Sequence, residues 1–64
     1  MTYEEAFDYL RSLSSFGEEK IRDVLTQHSQ KPGSEDVVPD EDTNTSFQIR
    51  YTEKDGFTID ALFS

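Results

Sequence analysis

The apolar positions of this chain change period along its length. In the first part they recur every three or four residues, as Tyr3, Ala6, Phe7, Leu10 and Leu13, and then Ile21, Val24 and Leu25, continued by His28. From position 47 they alternate, as Phe47, Ile49 and Tyr51, then Phe57, Ile59, Ala61 and Phe63. A period of 3.6 lays one stripe along a helix, and a period of 2 fills one face of a strand. A chain patterned in this way has to bring helical stripes onto a sheet face, which is an α+β arrangement.

Local signals place the element ends. Thr2 followed by Glu5 is a capping-box pattern. Glu4, Glu5 and Asp8 lie toward the positive end of the helix dipole and Arg11 toward the other. A first helix is expected over about 2–13. The run 14-SSFG-17 breaks the pattern, since serine and glycine are poor interior helix residues. A second helix is expected over about 17–29, started by Ser15 with Glu18 as a capping box or by Gly17 itself. One kinked helix is the alternative. Lys31-Pro32-Gly33 ends it.

The stretch 30-QKPGSEDVVPDEDTNT-45 is polar and acidic, with Val37-Val38 its only apolar pair. It reads as a solvated acidic linker that lets a hairpin at 46–63 fold back onto the helices. A two-residue Asp-Gly turn in that hairpin would send one strand's apolar set to the wrong face. A three-residue loop, 54-KDG-56, avoids this. It sets Glu53 opposite Phe57, Tyr51 opposite Ile59, Ile49 opposite Ala61 and Phe47 opposite Phe63. The expected fold is therefore one small α+β domain over 1–64, with two N-terminal helices packed on a C-terminal two-stranded antiparallel β-hairpin, in the order α-α-β-β.

Composition narrows the function classes. A domain of 64 residues buries only about 60% of its unfolded surface and is marginal. With no cysteine there is neither a disulfide framework nor a thiolate metal site. The net charge of −8 opposes direct binding to nucleic acid or to an anionic membrane. The first residues have no basic stretch or apolar core of a signal peptide, and no apolar run approaches the roughly 18 residues of a membrane span. A cytoplasmic location is the expectation.

Chemical signatures are weak. Asp40, Asp42 and Asn44 fall at the first, third and fifth positions of a calcium loop, but Thr45 stands where glycine belongs and Tyr51 where the bidentate glutamate belongs. The run reads as a solvated loop. His28 has no cysteine to activate and suits a helix end. The pairs Glu4-Glu5, Glu18-Glu19 and Glu35-Asp36 read as solvated acids, because so short a chain has little volume for a cleft between two carboxyl groups. No cofactor, no metal and no catalytic residue is expected. The segment 3-YEEAFDYLRSLSSFG-17 resembles the N-terminal helix of folylpolyglutamate synthases. The resemblance covers less than a quarter of the chain and stops short of that family's phosphate-binding glycine loop, so it carries over no residue and no activity.

What remains is interaction. A two-stranded sheet has two open edges, and 57-FTIDALFS-64 carries only Asp60 as a charge and exposes Leu62 on its outer face. The segment 35-EDVVPDED-42, with its short β-branched centre, suits addition to a partner's sheet edge. The expected function is a small acidic protein–protein interaction module that binds and modulates a partner. Its contacts are expected at Phe57, Thr58, Asp60 and Leu62, with Val37 and Val38. The partner is another protein or a second copy, as a homodimer. One alternative is a DNA mimic that presents Glu4, Glu5, Asp8, Glu18, Glu19, Asp23 and the linker acids to a DNA-binding protein. The other is a self-associating structural domain without a foreign partner.

Overall fold

A computed structural model describes residues 1–63, and the side chains of 1–62. Its elements are α1 (Tyr3–Leu13), α2 (Glu18–Gln30), β1 (Glu35–Asp40), β2 (Thr45–Thr52) and β3 (Gly56–Phe63). The Thr2–Glu5 capping box forms in both directions: the Glu5 N–H donates to the Thr2 hydroxyl and the Glu5 carboxylate accepts from the Thr2 N–H. α1 and α2 are separate helices, and the cap of α2 is Gly17, without a side-chain bond. Ser15 is engaged elsewhere, as described below.

The sheet has three antiparallel strands in the order β1-β2-β3, so the expected two-stranded hairpin is corrected. The supposed linker contributes its middle as β1, with Val38 opposite Phe47 and Asp40 opposite Thr45. The Gly33 N–H donates to the Tyr51 carbonyl at 2.7 Å and continues the pairing. One apolar pair followed by proline is too little pattern to announce a strand. It suffices here because β2 would otherwise leave an unpaired edge, and β1 satisfies it.

The β2–β3 register also differs from expectation. Tyr51 faces Phe57, Ile49 faces Ile59 and Phe47 faces Ala61, while Thr45, not Phe47, is opposite Phe63. The side chain of Phe63, expected on the core face, lies outside the described residues. The loop is 53-EKD-55, and Gly56 pairs with Thr52 instead of lying in the turn. The Thr52 hydroxyl accepts from the Asp55 N–H at 3.1 Å and closes the loop. The pairing moves by an even number of residues, so every described side chain of the two strands stays on its expected face.

Both helices cover one sheet face, α1 packing on β3 and α2 on β2. Ala6, Leu10, Ile21, Leu25, Phe47, Ile49, Phe57 and Ile59 form the core. The α1 stripe is only partly absorbed: Leu10 is buried, but Tyr3 and Leu13 at its ends stay exposed. Among the described residues no helix is long and apolar enough to cross a membrane.

Candidate functional site

The free edge of β3 can be read from its first core residue. The Phe57 N–H donates to the Met1 carbonyl at 2.8 Å, and the Met1 nitrogen donates to the Phe57 carbonyl at 2.7 Å. The backbone groups of Phe57 thus point away from β2. Because a strand alternates, those of Ile59 and Ala61 point to the same outer side, while those of Thr58, Asp60 and Leu62 engage β2. Among the described residues nothing pairs with the outward groups of Ile59 and Ala61.

The other edge is blunted. The same alternation turns Asp36, Val38 and Asp40 toward β2, and turns Glu35, Val37 and Pro39 outward. Pro39 has no N–H to offer at an outward position, where proline is tolerated in a sheet. β1 is only six residues long and carries Glu35, Asp36 and Asp40. Short length, charge and proline all discourage further pairing.

The sheet face opposite the helices is uncovered. Three cross-strand rows lie on it: Glu35, Arg50 and Thr58; Val37, Gln48 and Asp60; Pro39, Ser46 and Leu62. Gln48 donates from its amide to Glu35. Val37 and Leu62 are 55% and 46% exposed, so this face keeps two apolar side chains in water. Of the six residues expected to contact a partner, Thr58, Asp60, Leu62 and Val37 therefore share one surface. The other two do not join them. Phe57 is buried between the rings of Tyr3 and Tyr51, at centroid separations of 6.2 and 4.7 Å. Val38 packs against the core opposite Phe47. Neighbouring residues of a strand point to opposite faces, so Val37 and Val38 never share a surface, nor do Phe57 and Thr58.

The run 40-DEDTN-44, expected as a solvated loop, is instead tied into the fold through Asp40. The Asp40 carboxylate is buried and accepts from the Ser15 N–H at 2.7 Å, from the Ser15 hydroxyl at 2.6 Å and from the Asp42 N–H at 3.2 Å. The Ser15 hydroxyl and N–H, more than the remaining bonds, hold its pKa down to about 2. This group ties the turn between the helices to the turn between β1 and β2. Among the described residues no three His, Asp or Glu side chains gather as a metal would need.

His28 is also buried, at the end of α2. Its Nδ1 lies 3.2 Å from the Ser34 hydroxyl and its Nε2 lies 3.5 Å from the Asp36 carboxylate. Serine, histidine and aspartate occur together in acyl-transfer sites, where the nucleophile and its base face a pocket with oxyanion donors. Here all three stand within nine residues of chain, and they fasten the start of β1 to the last turn of α2. No local pattern announces this contact, because nothing in the chain marks Ser34 as a neighbour of His28.

The helix cations are also engaged. Arg11 and Arg22 both approach Glu18, at 3.6 and 3.4 Å, and Lys20 lies over the Phe16 ring at 4.5 Å. Comparison with known proteins finds no family model, no curated protein and no solved structure that matches this chain.

Proposed function

We propose that this chain is a small acidic protein-binding module that holds a partner along the outer edge of β3 and the uncovered face beside it. The observation that carries the reading is the pair of unused backbone positions at Ile59 and Ala61 on a strand whose one charged side chain is Asp60, while the opposite edge is blunted by Pro39 and its acids. Exposed Leu62 adds apolar area next to that edge, and Val37 adds more at the far side of the same face. Strand addition joins main-chain hydrogen bonds to side-chain contacts on alternate positions, which matches this arrangement.

The test has two steps. The tagged chain is used to capture partners from a lysate of the source organism, with elution in rising salt. Amide hydrogen exchange is then measured on the purified complex. Protection gained at Ile59 and Ala61 supports the reading. Protection confined to the acidic helix surface around Glu4, Glu5, Asp8, Glu19 and Asp23, with release at moderate salt, overturns it in favour of DNA mimicry.

A further inference from the structure

We infer that the occupant of the β3 edge is an extended segment of a partner protein in which apolar residues alternate with lysine or arginine. Its apolar side chains would lie beneath Tyr9 and Leu13 of α1, and a base would stand opposite Asp60. This rests on the edge-binding reading above and adds the partner's chemistry and a second wall to the site.

The second wall follows from the orientation of α1. Phe7 lies beneath Arg22, 5.8 Å from its ring centroid, and Arg11 reaches Glu18, so that flank of α1 faces α2. A helix turns about 100° per residue, which places Tyr9 roughly half a turn from both Phe7 and Arg11. Tyr9 and, one turn on, Leu13 therefore look away from α2. Since α1 packs on β3 and α2 on β2, that direction is the outer edge of β3. Tyr9 packs partly against the core, and Leu13 is 49% exposed.

The level along the edge also agrees. α1 begins beside Phe57, where Tyr3 meets its ring, and ends near Asp40, whose cross-sheet row continues through Thr45 to Phe63. α1 thus advances in the same sense as β3, from the Phe57 end toward the Ala61 end. A strand added to this edge would turn one set of alternate side chains under Tyr9 and Leu13, and the other set beside Thr58, Asp60 and Leu62.

Charge selects a basic segment over a second copy. Two chains would bring −8 each. Outward residues must face outward residues, so antiparallel self-pairing of β3 has three central registers. One sets Asp60 opposite Asp60. A second sets Asp60 opposite Leu62. The third needs the outward groups of Phe57, which Met1 already holds. None gives Asp60 a partner, and among the described residues it has no ion pair of its own. A lysine or arginine opposite it supplies one.

The experiment titrates the isotope-labelled chain with two synthetic ten-residue peptides and follows its NMR signals. In one peptide valine alternates with lysine; in the other it alternates with glutamate. Shifts at the amides of Ile59 and Ala61 and at the side chains of Tyr9 and Leu13 with the lysine peptide, and binding of the glutamate peptide weaker by about fivefold or more, are expected. Leu13→Ser, at an exposed position, should weaken the lysine peptide several-fold and leave the melting curve in place. Equal binding of both peptides, or a silent Tyr9 and Leu13 with the edge amides shifted, overturns this inference and leaves the edge reading intact. No response at Ile59 and Ala61 to either peptide overturns the edge reading itself. Concentration-dependent dimerisation of the chain alone, with those two amides protected, makes a second copy the occupant and overturns the inference.

Discussion

At the scale of single residues, glycines at positive φ separate two costs. Gly33 has φ 88° with open space where a Cβ would stand, whereas Gly56 has φ 73° and a Cβ there would come within 2.5 Å of the Met1 carbonyl oxygen. Gly33→Ala should cost about 1–2 kcal/mol of backbone strain alone. Gly56→Ala should cost more, because Met1 must also leave the β3 edge. Urea denaturation measures both, and faster exchange of the Phe57 amide should accompany only the second. Asp40 gives a pH prediction. Its pKa is depressed from 3.8 to about 2, so its contribution to stability is full above about pH 4 and is lost as the pH falls toward 2. Melting temperatures should drop through that window. Asp40→Asn should lower stability at neutral pH and flatten the slope, leaving the part due to Glu5, whose pKa the Thr2 N–H and hydroxyl lower. The Thr2–Glu5 contact spans three residues and was legible in the sequence. The Ser15–Asp40 contact spans 25 and was not.

At the scale of elements, β1 is the test case. It adds one strand to the sheet with a single apolar contact, Val38, and it is held at its ends by Asp40 and by the Ser34 and Asp36 contacts to His28. Val38→Asp puts a carboxylate against Phe47 and should cost about 2 kcal/mol or more. Val37→Asp, one residue away on the uncovered face, should change stability by about 0.5 kcal/mol or less. Thermal melts of the two variants check the contrast. Equal losses would mean that β1 does not pair in the register described. The helices were legible because each carries its own caps and stripe. β1 was not, because its pattern is brief and its reason for pairing belongs to β2.

At the scale of the whole molecule, stability rests on few side chains. At about 0.05–0.15 kcal/mol per residue, a chain of this length has roughly 3–10 kcal/mol in total. Phe47 is fully buried, with the Phe16 ring edge-on to it, and Phe47→Ala should cost about 3–5 kcal/mol, enough to leave much of the protein unfolded at 37 °C. Circular dichroism at that temperature checks it. Spacings of two, three and four residues are governed by the backbone geometry of strands and helices. For that reason the α+β class, the two helices and the face taken by each alternating residue from 47 to 61 were readable from the chain alone, as was the odd number of residues in the last loop. The third strand, the detailed register and the burial of Asp40 were not. Each depends on residues far apart in the chain competing for the same hydrogen-bonding groups and the same core volume, and that competition is resolved only when all five elements are packed together.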